Sequence, residues 1–238
     1  MALEKRGSRL LLRRGPVAGA LAALARETGA RTVYFNRRYE PFAREQEHRV
    51  EARLRRDDIE VKVFNGALLV SPEDCLNKQD KPFQVFTPFW KAASNAFPLA
   101  EALPAPTRLL APKKWPKSFP LAYYKLESRL NWTQGLRAAW QPGKDGAQKA
   151  LARFIGEGLA EYDTQRDIPA EPGTARLSPH LHFGEIAPAT LIRAVNERAF
   201  LANKSGLLRG TEAWMRQVYW REFAHYLLYH FPHTHDAP

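Results

Sequence analysis

GTARLSPHLHFGEIAP, residues 173–188, is the stretch on which the reading turns. Thr174 and Ser178 set hydroxyls beside Gly173 and just ahead of Pro179, where backbone amides are expected to be free. Hydroxyl and N–H donors so arranged can hold an anion. The same residue types also start an ordinary helix, with Ser178 and Pro179 as an N-cap and N1 pair, and spacing alone favours that capped turn. His180 and His182, with His233 and His235, invite a metal reading. HxH pairs without Cys or carboxylate help match no zinc spacing, so no metal is expected and the histidines read as structural.

Downstream, WMRQVYWREFAHY (214–226) has helical spacing. Trp214, Gln217, Val218 and Arg221 fall on one face at i, i+3, i+4 and i+7, and Trp220 lies just off that line. An indole, an amide and a guanidinium together suit a planar, partly anionic ligand. The plainer reading is a core stripe with Arg221 paired to Glu222 or Glu185, and composition favours it. Further helices are expected over 146–167, 186–200 and 211–231.

Upstream, the pattern is α/β. SRLLLRR (8–14) reads as a strand, GPVAGALAALARETGA as a helix ending at Gly29, and TVYFN (32–36) as a second strand. A charged helix follows through REQEHRVEARLRRD, and VKVFNGALLV (61–70) supplies strand-like runs broken at Asn65-Gly66. Strand, helix, strand, helix, strand signals a parallel sheet with covering helices. Residues 1–7 look like the tail of a helix whose strand is missing. Eight prolines between 82 and 120 mark a long connector with one short helix at PFWKAASNAF. The expected organisation is an incomplete, Rossmann-like α/β domain (1–105), a connector (106–140) and the start of an all-helical domain (141–238).

Composition narrows the function. The 238 residues carry +11 net charge with pI near 9.9. Such a surplus favours a polyanionic partner, because each neutralised phosphate releases counterions. The cations are spread over Arg13, Arg14, Arg37, Arg38, Arg53, Arg55, Arg56, Lys113, Lys114 and Lys117, so no compact basic face is legible in sequence. Cys75 is the single cysteine, which excludes an internal disulfide and multi-Cys metal sites. No apolar run approaches the roughly 20 residues of a membrane span and no signal peptide is visible, so a cytoplasmic protein is expected. Glycine-rich phosphate loops are absent, and no Ser-His-Asp or Cys-His pairing can be argued.

Taken in order, SRLLLRRG with its helix, VYFNRRYEP, VFTPFWK, the W-x-PG of Trp140 to Gly143, YDTQRDIP (162–169), GTARLSPHLHFGEI and WMRQVYWREF resemble the DNA photolyase and cryptochrome family, class I-like. The resemblance spans about residues 7 to 232. It implies an antenna domain followed by a helical FAD-binding domain that splits pyrimidine dimers in damaged DNA by blue-light-driven electron transfer. By motif match, Tyr162, Thr174, Leu177, Ser178, Trp214 and Arg221 resemble FAD-contacting positions. Arg166 resembles an Arg that meets DNA phosphate, and Gln217 and Trp220 resemble the residues that hold the flipped lesion.

Three departures accompany the resemblance. Gln217 stands where many cyclobutane-dimer photolyases carry Glu, while (6-4) enzymes and some cryptochromes use Gln. Phe42 and Ala43 do not match the Asn-Glu pair that binds folate in some members, leaving the type of any antenna pigment open. The chain also lacks the family's first strand and helix and everything beyond the active-site helix, so a missing C-terminal half is an expected partner. The 238 residues alone are therefore expected to bind FAD weakly and repair little. The alternatives are a fragment of a cryptochrome-like photoreceptor and a non-catalytic remnant.

Overall fold

The structure, a computed structural model, describes residues 3–96, 99, 103–128, 130–202 and 205–235. It divides into two compact units, Met1–Phe64 with Ala102–Trp132, and Asn65–Glu101 with Thr133–Pro238. Within 65–96, assigned from sequence to the α/β domain, Val70, Cys75, Phe86, Phe89 and Ala93 pack in one cluster with Tyr219, Phe223 and Tyr226 of the second unit.

In the first unit, α1 (Val17–Thr28) starts after Pro16 and stops at Gly29, whose φ of 71° a residue with a side chain rarely adopts. Strand β1 (Thr32–Asn36) is joined by α2 (Pro41–Arg56) to β2 (Glu60–Phe64). The strands pair in parallel from Thr32↔Glu60 to Asn36↔Phe64, with the helical crossover that parallel pairing requires. Ala22 and Ala25 of α1 meet Val50 and Leu54 of α2 and Ile59 in one small core.

The strand expected at 8–14 does not form. That segment lies extended beside 109–119, with Leu12 N–H donating to Ser118 Oγ (2.9 Å) and Phe119 N–H to Leu12 O (3.0 Å). Its neighbour carries Pro112 and Pro116, which have no N–H to continue a ladder. The expected helix tail at 1–7 is a single 3-10 turn, Glu4–Arg6, among the described residues. After β2, the run 67–70 is not a strand either: Asn65 Oδ1 accepts the Leu68 N–H at 3.0 Å and turns the chain.

The second unit contains α3 (Phe86–Ala96), α4 (Gln134–Ala139), α5 (Lys144–Arg153), α6 (Tyr162–Gln165), α7 (Ser178–His182), α8 (Pro188–Ala202) and α9 (Ser205–His230). The helix of PFWKAASNAF is α3; Phe97 and Asp236–Pro238 lie outside the described residues. The single helix expected over 146–167 is interrupted. A wider π turn at Phe154–Gly158, holding Gly156 and Gly158, separates α5 from α6.

Helix α9 is the axis of this unit. Gly210 lets it approach the preceding chain, since a Cβ there would stand 1.8 Å from Leu159 O. One cluster around Phe154, Leu191, Ile192, Val195 and Trp214 and another around Phe86, Phe89, Phe223 and Tyr226 pack along it. A polar seam at i, i+4, i+8 then satisfies backbone groups of residues 69–83. Glu222 accepts the Leu69 N–H (2.6 Å), and the Tyr226 hydroxyl donates to Cys75 O (2.7 Å) and accepts from Phe83 N–H (2.9 Å). His230 Nε2 reaches Pro72 O at 3.0 Å. Burial pushes the Cys75 thiol up to about 11, which removes it as a nucleophile at neutral pH.

Candidate functional site

The loop of residues 173–178 is held from below by glycine. A Cβ on Gly173 would come within 2.7 Å of Gln165 O, so only glycine lets the loop lie on the end of α6. Ala175 and Leu177 then sink into the core while Thr174, Arg176 and Ser178 are exposed. Arg176 has φ 52°, unusual for a non-glycine residue, and its guanidinium stands 6.0 Å from the Trp140 ring centre. Thr174 opens onto a small recess of about 80 Å³ that also touches Arg153, Phe154, Glu157 and Gln165.

The cap differs from the expected one. Leu177 occupies the N-cap position of α7, Ser178 is its first residue, and no side chain caps the helix. Burial of Leu177 moves the start back by one residue and leaves the Ser178 hydroxyl on the surface.

His180 is buried, with Nδ1 2.6 Å from Glu185 Oε2. That hydrogen bond, with a second from Gly143 N–H, holds Glu185 below the usual carboxylate range. The pair ties α7 to the turn before α5. Among the described residues no three His, Cys, Asp or Glu side chains are grouped to hold a metal ion.

Tyr162 and Trp214 both pack on Phe154, with ring centres at 5.6 Å and 5.5 Å. Burial raises the Tyr162 hydroxyl, opposed by the nearby Arg166, which also pairs with Asp167 at 3.3 Å. Tyr162, Leu177 and Trp214 therefore converge in one cluster. At 5% exposure Trp214 is buried against Phe154.

The stripe expected on α9 splits between environments. Trp214 and Val218 are buried, Gln217 is exposed and Arg221 is half-buried. Trp220, 47% exposed, lies flat on Phe86 of α3, centres 3.8 Å apart and planes 8° apart. Arg221 Nη1 donates to Ala67 O (2.9 Å) and lies 3.3 Å from Glu222 Oε1. Of the two carboxylates considered for Arg221, the structure selects Glu222, while Glu185 pairs with His180. Glu222 is 2% exposed, and burial pushes its pKa up to about 7 against the opposing pull of Leu69 N–H and Arg221.

Phe86, Arg153 and the anchoring role of Glu222 were not legible as site features. Phe86 lies within VFTPFWK, but no local pattern marks it as the bed of an indole 134 positions away.

A family model described as DNA photolyase matches residues 1–107. A deoxyribodipyrimidine photo-lyase of Agrobacterium fabrum is 40% identical over 97% of this chain and 47% of its own length. The structure superposes on a bacterial class III photolyase from Agrobacterium tumefaciens with TM-score 0.89 and 38% identity, covering 97% of this chain and 47% of that one. The chain belongs to the DNA photolyase/cryptochrome family. Cryptochrome-2 of Arabidopsis thaliana, 30% identical over 91% of this chain and 37% of its length, lies in the same family. The small parallel sheet and its helices match the photolyase α/β domain, and the second unit matches the helical start of the next domain. The chain spans about half the length of the photo-lyases it matches.

Photolyase-family proteins bind flavin, so the fit of these residues matters. The exposed Thr174 hydroxyl in the recess with Arg153, and the exposed Ser178 hydroxyl at the start of α7, suit the phosphate end of a dinucleotide, and half-buried Arg221 suits an electron-rich ring edge. By residue type these side chains fit such a group. No helix among the described residues is long and apolar enough to cross a membrane.

Proposed function

We propose that this chain supplies part of a light-driven, FAD-dependent DNA photolyase acting on pyrimidine dimers. Trp220 carries the reading. A half-exposed indole clamped flat on Phe86, beside exposed Gln217, is a ready platform for a base taken out of the DNA stack. Gln217 offers both a donor and an acceptor to the polar edge of the lesion. Arg166, on the chain after α6, offers charge to a DNA phosphate, and the basic surplus holds the backbone. Reduced FAD, when bound, supplies the electron that splits the dimer. Toward that group, Thr174 and Ser178 offer hydroxyl donors, Leu177 a backbone contact and Arg221 a fixed positive charge, with Tyr162 and Trp214 bracing the wall from behind.

The recess beside Thr174, at about 80 Å³, is far smaller than the roughly 300–1,000 Å³ of a site that encloses its ligand. On this reading the 238 residues alone bind FAD weakly and repair little. Flavin fluorescence titration of the purified chain tests this. Weak, saturable quenching that Thr174→Val with Ser178→Ala abolishes is expected. Quenching untouched by those substitutions, or tight one-to-one binding, contradicts it.

Gln217 supports a second reading, a cryptochrome-like photoreceptor with the same flavin wall, because it replaces the Glu of many cyclobutane-dimer enzymes. Preference for dimer-containing over undamaged DNA separates the two.

A further inference from the structure

The basic surplus, dispersed in sequence, is concentrated by the fold. Residues 3–14 and 103–128 contain ten Lys or Arg against two Glu, a surplus of eight where the whole chain has eleven. The two segments run side by side within the α/β unit. Leu109 N–H donates to Arg6 O (2.8 Å), the Arg9 guanidinium donates to Pro116 O (3.3 Å), and Arg14 reaches the Tyr123 hydroxyl (3.3 Å). Those contacts, with the Leu12 bonds already described, align Arg6 with Leu109, Arg9 with Trp115 and Pro116, and Arg14 with Tyr123, in a segment that also carries Arg108, Lys114, Lys117 and Lys125. At about 3.3 Å per extended residue, the ribbon from Arg6 to Arg14 is roughly 25 Å long, enough for several successive phosphates.

Aromatic rings are interleaved with these cations. The Arg9 guanidinium lies 4.6 Å from the Trp115 ring centre, and the exposed rings of Phe119 and Tyr123 stack on each other at 4.5 Å. Lys113, Lys114 and Lys117 are exposed and form no ion pair with a described residue.

We infer that this ribbon is a contact surface for single-stranded nucleic acid, with Arg9, Arg14, Lys113, Lys114 and Lys117 on phosphates and bases against Phe119 and Tyr123. Cations spaced along an extended backbone, with exposed rings between them, are what sequence-tolerant single-strand binding needs. An anionic membrane is disfavoured, because the ribbon has no amphipathic helix, only the four-residue turn Leu121–Tyr124. The surface uses none of the residues assigned above to flavin or lesion and needs neither light nor damage.

Fluorescence anisotropy of labelled, undamaged oligothymidine with the 238-residue chain tests it. Lys113→Gln/Lys114→Gln/Lys117→Gln is compared with Arg49→Gln/Arg55→Gln/Arg56→Gln on α2, which removes the same charge elsewhere in the unit. The lysine variant is expected to bind about tenfold or more weakly at physiological ionic strength. Its slope of log affinity against log salt should flatten by about 2, at about 0.7 per lost single-strand phosphate contact. The α2 variant should stay near the parent. Equal losses in both variants overturn the ribbon in favour of net charge. Absence of oligothymidine binding, or capture only by phosphatidylserine/phosphatidylcholine vesicles, overturns it too. Because the probe carries no dimer and no flavin is added, these outcomes leave the flavin and lesion roles of the photolyase reading untouched and bear only on where the DNA backbone is held.

Discussion

In the α/β unit the clustered core is Ala22, Ala25, Val50, Leu54 and Ile59, set around a sheet of two strands, with Tyr39 and Ala43 also buried. In the helical unit the buried clusters carry more rings: Phe86, Phe89, Tyr219, Phe223 and Tyr226 along one side of α9, and Phe154, Tyr162 and Trp214 among aliphatic residues such as Leu159, Leu191, Ile192 and Val195 along another. Two short strands and a few small side chains bury little apolar area, and such sheets are marginal unless helices cover them. Rings bury far more per residue, and the Glu222–Tyr226–His230 seam fixes the loop they pack on. The helical unit carries the residues proposed to meet lesion and flavin, Trp220 and Arg221, whereas the α/β unit contributes charge.

The largest effects should expose that inequality. Phe89→Ala, deep in the ring cluster, is expected to cost about 3–5 kcal/mol, while Leu54→Ala in the small core should cost about 2–3 kcal/mol. Urea unfolding followed by circular dichroism measures both. A Leu54→Ala loss exceeding that of Phe89→Ala breaks the comparison.

Glu222 sharpens it through pH. Its folded pKa of about 7 lies above the ordinary 4.5, so the unfolded chain gives up this proton first as pH rises. The contribution to stability is full below pH 4.5 and is lost as pH climbs through about 7, by at most about 3 kcal/mol. Glu222→Gln should flatten that decline in urea-unfolding free energies measured from pH 4 to 8; an unchanged pH profile shows that Glu222 does not titrate there.

Much of the fold was legible because its signals are local. Gly29 stops α1, the run TVYFN marks β1, and helical spacing marks α8 and α9. What failed did so for non-local reasons. Residues 8–14 have strand composition, but the proline-bearing segment beside them cannot supply a ladder. Residues 67–70 are apolar because they sit under α9, not because they pair. At the site, Thr174 and Ser178 stood out by residue type, yet the capped-turn reading looked better until Leu177 proved to be the cap residue. Trp214 looked like a ligand contact from its face on the helix. Only packing on Phe154 shows that it is buried, and only α3 shows what Trp220 rests on.

Trp220 is the smallest perturbation to the fold and the sharpest to the function. Half-exposed, it contributes about 1 kcal/mol of ring stacking with Phe86, so Trp220→Ala should leave the protein folded. The direct measurement is the ratio of affinities of the chain for an oligonucleotide carrying one pyrimidine dimer and for the same oligonucleotide undamaged. The account predicts a preference for the dimer, about tenfold or more, that Trp220→Ala erases while binding of the undamaged strand persists. No preference in the parent chain, or a preference unchanged by Trp220→Ala, would contradict it.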